Sequence, residues 1–330
     1  MNVIKKVNNV KILSTGSYLP ETVYTNEYLS TIVDTNAEWI FNNLGIRERR
    51  VASKNQATSD LAFEASIKAL KNAQMKASDI DLIIVATTTP DRQAPSTACI
   101  LQKKLGAFNA AAFDLAAVCS GFLYALTTGA QFIASGMYEN ILVVGADTFS
   151  SIVDWTRRDC VFFGDGAGAI ILTKDNGNSF FVSKLFADGR GMEAWTIPAG
   201  GSEKKTSLET FNSKEHFFKM DGQAVFKTAT EVLPKAINEV LSQTNIKIEE
   251  IKYIIPHQPS IGILKKTAQT LRIDFSKILT NMDKYANTSA ATIPILLDET
   301  VQKGLLNRGD YIVLAAVGSG WTWGAALIKW

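Results

Sequence analysis

Cys119, His257 and Asn287 are the residues of this chain whose types and settings could together carry covalent chemistry. Cys119 closes the apolar segment AAFDLAAV and opens CSGFLYALTTGAQFIASG, whose small and apolar residues recur at helical spacing up to a stop at Gly136. The thiol is therefore expected at a strand-to-helix turn. A helix N-terminus presents unpaired N–H groups and the positive end of the macrodipole, and both favour thiolate over thiol. His257 follows an apolar run at 251–256 that reads as a buried strand, and Asn287 stands in MDKYANTSAATIPILL, at the turn before a helix. Together they offer a nucleophile, a neutral base or hydrogen-bond donor, and a second amide donor. Each also has a plainer reading. A cysteine among alanines and valines serves as a small buried hydrophobe, a histidine after a strand as a core residue, and an asparagine in such a turn as a helix cap.

The elements that must position these residues occur twice along the chain. IDLIIVATT at 80–88 and IKYIIPHQ at 251–258 both read as buried strands, and a Pro-Ser pair and a helix follow each, at 95–104 and 259–266. NILVVGAD from Asn140 is matched by YIVLAAVG from Tyr311, and GAGAIIL ending at Leu172 by TWGAALI ending at Ile328. Apolar strands alternating with helices predict an α/β fold, with parallel strands, helices on the sheet faces and a separate sheet for each half. The polar stretch KDNGNS at 174–179 is the expected boundary, giving 1–174 with the cysteine and 175–330 with the histidine and asparagine. If the halves pack about a pseudo-two-fold axis, the turns at Cys119 and Asn287 converge on one site, which favours the joint chemical reading.

Composition narrows the alternatives. A chain of 330 residues that is 46% apolar and 20% charged can build a full core without disulfides or metals. Three cysteines without Cys-x2-Cys spacing and only two histidines argue against a zinc site, so no metal is expected. A formal charge of +2 is too mild for a nucleic-acid binder. No leader follows Met1 and no apolar run approaches a membrane span, so a cytoplasmic protein with reduced thiols is expected. The run 164–168 (GDGAG) leads into a strand rather than opening a helix, so it reads as a structural turn and not as a phosphate cradle. His216, in KEHFFKM, reads as a surface or groove residue.

Several motifs, in this order, carry a resemblance. Gly16-Ser17-Tyr18-Leu19-Pro20, Asn36-Ala37-Glu38-Trp39-Ile40, Gly45-Ile46-Arg47-Glu48-Arg49 and Cys119-Ser120-Gly121-Phe122 stand in the first half with Phe163-Gly164-Asp165-Gly166. Pro256-His257-Gln258, Asn287-Thr288-Ser289-Ala290 and Thr322-Trp323-Gly324 stand in the second. Over essentially its whole length the chain resembles 3-oxoacyl-[acyl carrier protein] synthase III, a condensing enzyme of the thiolase superfamily. The resemblance implies a five-layered thiolase fold (αβαβα) of two pseudo-symmetric halves, and a homodimer with the active site near the interface. It implies that Cys119 takes an acyl primer as a thioester and that malonyl-[acyl carrier protein] is then decarboxylated and condensed onto it. His257 and Asn287 would stabilise the enolate, while the N–H groups of Cys119 and Ser319 would form the oxyanion hole. No bound cofactor is implied: coenzyme A or carrier-protein phosphopantetheine thioesters are the substrates and acyl carrier protein the partner. Trp39, Arg157, Gln223 and Phe226 would line the coenzyme A path, with Arg157 or Arg158 as the second contact beside Trp39. Ala94 and Val317 would belong to the primer pocket.

Departures from the family pattern refine the expectation. Ala94 stands where acetyl-primed relatives often carry phenylalanine, which leaves room for a primer longer than acetyl. Asn43 replaces an arginine that partners the adenine-stacking tryptophan, and Gly262 replaces a carrier-docking arginine, with Lys227, Lys265 and Lys266 left as a basic face. These changes suggest a specialised fatty acid or polyketide-type pathway as an alternative to fatty acid initiation. A non-decarboxylating acyltransferase, passing the acyl group to an O, N or C nucleophile, is the competing function, and a non-catalytic binding subunit a weaker third.

Overall fold

Apolar runs without polar alternation, such as LIIVA at 82–86, are buried along their length, as strands covered on both faces must be. The computed structural model describes residues 9–175, 177 and 179–330. Its first sheet holds β1 (Val10–Tyr18), β2 (Leu82–Ala86), β3 (Ala111–Leu115), β4 (Asn140–Asp147) and β5 (Gly166–Lys174), in spatial order β1-β5-β4-β2-β3. Its second holds β6 (Phe181–Ala187), β7 (Ile251–Pro256), β8 (Tyr311–Gly318) and β9 (Thr322–Lys329), in order β7-β8-β9-β6. Of the polar stretch at 174–179, Asn176 and Asn178 lie outside the described residues.

The expected parallel pairing holds for β2 with β3, β2 with β4 and β7 with β8, but the other pairs are antiparallel. The reason lies in the connections. Residues 319–321 between β8 and β9 are too few for a crossover and can only make a hairpin, while 148–165 between β4 and β5 forms short 3-10 turns instead of a crossover helix.

The longer helices are α1 (Ala37–Leu44), α2 (Thr58–Ala73), α3 (Thr97–Leu105), α4 (Gly121–Ala134), α5 (Gly222–Leu241), α6 (Ile261–Leu271) and α7 (Thr292–Gln302). Helices α2 and α3 cover the outer face of the first sheet, while α5, with α6 packed beside it, covers the second. Between the sheets lie α4, against β4, β8 and β9, and α7, against β1, β5 and β7. This is the five-layered αβαβα arrangement. The α4 sequence GFLYALTTGAQFIA is apolar on most sides, as a helix buried between two sheets requires. Phe122 in its first turn is fully buried, so truncation to alanine would cost about 3–5 kcal/mol. The layers meet closely: a Cβ on Gly145 of β4 would lie 2.2 Å from the Ala290 carbonyl oxygen. The carboxyl ends of β4 and β7 and the start of α4 thereby face the turn before α7, at the strand ends where open α/β sheets bind ligands.

Candidate active site

The chain reaches Cys119 through a 3-10 turn, Val118–Ser120, between β3 and α4. Val118 has φ +46°, a left-handed conformation that costs a β-branched residue strain. Surrounding contacts hold it there. Ser120 Oγ donates to the Ala117 carbonyl at 2.8 Å and lies 2.7 Å from Thr322 Oγ1, which itself donates to the same carbonyl at 3.2 Å. The β8–β9 hairpin presses on the turn from the other side. A Cβ on Gly318 would lie 2.9 Å from the Ala117 oxygen and from the Ser120 nitrogen, and 3.0 Å from the Cys119 nitrogen. Only glycine permits that approach. Next in the hairpin, Ser319 Oγ donates to the Trp195 carbonyl at 2.6 Å.

His257 follows β7 and is pinned to β8 by its backbone N–H, which donates to the Ala315 carbonyl at 2.8 Å. Its ring is buried, with Nδ1 unpartnered, and burial pushes its pKa down to about 3. The imidazole is therefore neutral across the working pH range and can act as a hydrogen-bond donor or acceptor. Asn287 is held on three sides. Its N–H donates to the Phe162 carbonyl and its own carbonyl accepts from Gly164 N–H, both at 3.0 Å. Its side-chain oxygen accepts the Ser289 N–H at 2.8 Å, and its amide donates toward the Cys119 sulfur. The glycine-containing run at 164–168 is structural but not the turn expected of it: Gly166–Gly168 already form the start of β5, and Gly164 before them anchors Asn287.

The thiol departs from expectation. The helix start is expected to favour thiolate, yet burial, with a further push from the Asp147 charge, drives the Cys119 pKa up to about 12. Donation from Ser289 and Asn287 opposes this without reversing it. Local dipoles are legible in a sequence, but desolvation depends on what the fold closes over the turn.

Cys119, His257 and Asn287 line one cavity of about 670 Å³, together with Ser319, Val317, Trp39, Gln223 and Phe226. Of all its lining residues only Cys119 and His257 ionise. Trp195 and Phe163 supply much of the apolar wall, backed by Phe218, whose ring stacks on Trp195 with centroids 5.7 Å apart, and by Phe149, stacked on Phe163 at 4.4 Å. At the mouth the Arg158 guanidinium lies 3.9 Å from the centre of the Trp39 ring. Arg157, singled out from the sequence, does not line the cavity and pairs with Asp159 instead. The two neighbours point differently in an irregular 3-10 segment, which has no periodicity to read. Ala94 is exposed and does not line the cavity of its own chain; its neighbour Gln93 donates to the Gly200 carbonyl at 3.1 Å. Gly262 is overlaid by Phe226, whose ring edge lies 3.4 Å from where a Cβ would stand. Lys227, Lys265 and Lys266 are exposed on α5 and α6. His216 is half-buried away from the site, stacked on Phe211 at 4.9 Å.

Sequence reading missed Ser289, Asp147, Trp195 and Phe163 at this site. Asp147 had a usable signal, a carboxylate ending the apolar run NILVVGAD. Among the described residues no group of three His, Cys, Asp or Glu side chains is placed to hold a metal ion, and no helix is long and apolar enough to cross a membrane.

A five-layered fold with a Cys-His-Asn set gathered in one cavity at the ends of its strands defines a condensing acyltransferase of the thiolase fold. Residues 113–189 match the family model for 3-oxoacyl-[acyl-carrier-protein (ACP)] synthase III and residues 241–330 the model for its C-terminal part. The chain is 49% identical to the β-ketoacyl-[acyl-carrier-protein] synthase III of Caldanaerobacter subterraneus subsp. tengcongensis, over 97% of each chain. The crystal structure of 3-oxoacyl-[acyl-carrier-protein] synthase III from Aquifex aeolicus superposes with a TM-score of 0.90 at 40% identity, covering 97% of this chain and 100% of that one. A priming β-ketosynthase of a polyketide biosynthetic pathway superposes with a TM-score of 0.89 at 28% identity, covering 99% and 98%. The chain belongs to the 3-oxoacyl-[acyl-carrier-protein] synthase III family.

Proposed function

We propose that the protein catalyses decarboxylative Claisen condensation of an acyl primer held on Cys119 with malonyl-[acyl carrier protein], giving a 3-oxoacyl-[acyl carrier protein]. The observation that carries this reading is the convergence of Cys119, His257 and Asn287 in one largely apolar cavity. In the first half-reaction the Cys119 sulfur attacks the primer thioester and the departing thiol leaves. The N–H groups of Cys119 and Ser319, brought together by the Gly318 contact, stabilise the tetrahedral oxyanion. In the second, carbon dioxide leaves the malonyl group. The enolate oxygen is met by the neutral His257 ring and the Asn287 amide, and the enolate carbon attacks the acyl carbonyl and expels the Cys119 sulfur, which regains a proton from solvent. A cavity with no other ionisable group favours decarboxylation, because charge leaves the carboxylate for an oxygen with fixed donors.

Trp39 and Arg158 at the mouth suit the adenine of coenzyme A, with Gln223 and Phe226 along the pantetheine path. The primer occupies the pocket beside Val317, with the Trp195 ring in its wall, and a primer longer than acetyl rests on the small side chain of Ala94 alone. The exposed lysines at 227, 265 and 266 offer carrier protein a basic face. A homodimer belongs to the same reading and rests on the family resemblance; a cytoplasmic setting and a division into halves at 174/175 belong to it too and rest on composition and on the polar stretch between the repeated elements. Intact mass after exposure to acyl donors of two to twelve carbons, on coenzyme A and on carrier protein, tests it with Cys119→Ala as control. Release of carbon dioxide from malonyl thioester separates condensation from transfer to an O, N or C nucleophile: acylation without that release would overturn the proposal.

A further inference from the structure

Arg49, in the short strand Glu48–Val51, is fully buried and does not line the cavity. Its Nη1 donates to the Tyr24 carbonyl at 2.8 Å, and its Nη2 to the Asn26 side-chain oxygen at 2.9 Å and the Val161 carbonyl at 3.1 Å. All three acceptors are neutral. A guanidinium carried into a protein interior without a carboxylate is costly even when hydrogen-bonded. The last of its acceptors stands one residue from the anchor of Asn287.

Val161 and Phe162 end the 3-10 turn Arg158–Phe162. Were that turn to continue, the Val161 carbonyl would accept from Gly164 N–H and the Phe162 carbonyl from Asp165 N–H. None of the four groups bonds that way. The Val161 carbonyl takes Arg49, and the Phe162 carbonyl accepts from Asn287 N–H at 3.0 Å. Gly164 N–H donates to the Asn287 carbonyl at 3.0 Å, and Asp165 N–H to the Arg50 carbonyl at 2.8 Å. The segment at 161–165 thus lies between Arg49 and Arg50 on one side and Asn287 on the other, with Phe163 and Asn287 paired as a parallel bridge. The fit is close. A Cβ on Gly164 would lie 2.7 Å from the Tyr285 carbonyl oxygen and 3.0 Å from the Arg49 Cβ.

We propose that Arg49 is a positioning residue for Asn287. By occupying the Val161 carbonyl it keeps the turn from closing on Gly164, and leaves the Gly164 N–H and the Phe162 carbonyl to hold the Asn287 backbone. Val161 is buried, so without Arg49 its carbonyl takes the nearest donor, Gly164 N–H, and Asn287 loses one of its two backbone anchors. Arginine suits this task because one rigid fork reaches three chain segments at once. The proposal rests on the reading of Asn287 as a donor to the enolate. It concerns decarboxylation, since the turn at Cys119 is held by Gly318 and Thr322 instead.

Arg49→Met keeps the apolar stem and removes the donors. In this variant kcat for carbon dioxide release from malonyl thioester is expected to fall about tenfold to a hundredfold, the cost of misplacing a reacting group by about an ångström. KM for the malonyl thioester should hold within about twofold, and acylation by a carrier-bound primer, read by intact mass, within about threefold. Loss of folded protein would instead lower both half-reactions together. A double-mutant cycle gives a second reading: in an Asn287→Ala background Arg49→Met should change carbon dioxide release less than about twofold, because its effect runs through a side chain no longer there. Amide hydrogen exchange gives a third without turnover. The Gly164 and Asn287 N–H groups should exchange about tenfold faster in Arg49→Met, with those of β8 unchanged. Equal losses in both half-reactions, additive losses in the cycle, or unchanged exchange at Asn287 would overturn the proposal. Arg49→Lys keeps the charge but not the fork; it is expected to show the same order with smaller losses, and it decides alone if Arg49→Met does not fold. A wild type that releases no carbon dioxide would overturn the proposed function alone, because exchange still reads the Arg49 contact.

Discussion

The side-chain oxygen of Asn287 accepts the backbone N–H of Ser289, two residues on, at 2.8 Å. This bond commits the oxygen and leaves the amide NH2 to face Cys119. Asn287→Asp keeps an acceptor for Ser289 but turns a negative oxygen toward the place where the enolate develops. Carbon dioxide release from malonyl thioester is expected to fall by about 10²- to 10³-fold, the usual cost of losing one fixed donor at a developing charge. The unfolding midpoint should change little. A loss below about threefold would remove Asn287 from the decarboxylation step.

His257 gives a prediction in pH. Its folded pKa, about 3, lies below the 6.5 of a free histidine, because burial penalises the charged ring. Between these values the unfolded chain binds the proton and the folded chain does not, so this group's stability contribution is complete above pH 6.5 and is lost as pH falls toward 3. Asp165 works in the opposite sense: burial raises its pKa from 3.8 to about 6, and its contribution is lost as pH rises through that window. His257→Asn isolates the first effect. In urea unfolding, wild type should lose stability relative to His257→Asn as pH falls from 6.5 to 5. Parallel curves would mean that the ring takes up its proton inside the fold.

The meeting of Cys119, His257 and Asn287 was legible because each stands where a strongly patterned element begins or ends. Strand runs such as LIIVA and the duplicated order of elements carried the layers in the same way. Strand direction was less legible. Nothing in the apolar pattern of TWGAALI says that it returns by a hairpin; the shortness of 319–321 does. The thiol's ionisation was opaque, since it depends on burial and on Asp147, which is distant in sequence and sits where Gly145 admits the Ala290 turn. Arg157 and Arg158 were indistinguishable for a related reason, as a 3-10 segment offers no face to count along.

That pair gives a further prediction. Arg158 lies over Trp39 and Arg157 is engaged with Asp159, so only Arg158 is placed to sandwich a planar ring against the indole. Arg158→Ala should raise KM for an acyl-coenzyme A primer about fivefold to thirtyfold, since stacking of a guanidinium at a part-exposed site is worth roughly 1–2 kcal/mol. Its kcat should hold, because the arginine binds ground state and transition state alike. Arg157→Ala should leave both within about twofold. The same comparison with a carrier-bound primer, which has no adenine, should show no Arg158 effect. A KM rise there as well would assign Arg158 to carrier docking.

Gly318→Ala examines how closely the hairpin must approach the nucleophile. The added methyl would stand 2.9 Å from the Ala117 oxygen and the Ser120 nitrogen, and 3.0 Å from the Cys119 nitrogen, all backbone atoms that cannot rotate away. Either the hairpin withdraws, taking the Ser319 N–H with it, or the turn at Val118–Ser120 shifts and carries the sulfur along. Both separate the two donors proposed for the oxyanion. The acylation rate, read by intact mass, should drop about 10²-fold or more, while overpacking at one methyl costs about 1–3 kcal/mol of stability and leaves a folded protein. Decarboxylation depends on His257 and Asn287, which are anchored to Ala315, Phe162 and Gly164 and not to the hairpin tip. It should therefore be hurt less than acylation. Equal losses in both half-reactions would mean that Gly318 supports the site as a whole and that the oxyanion donors lie elsewhere.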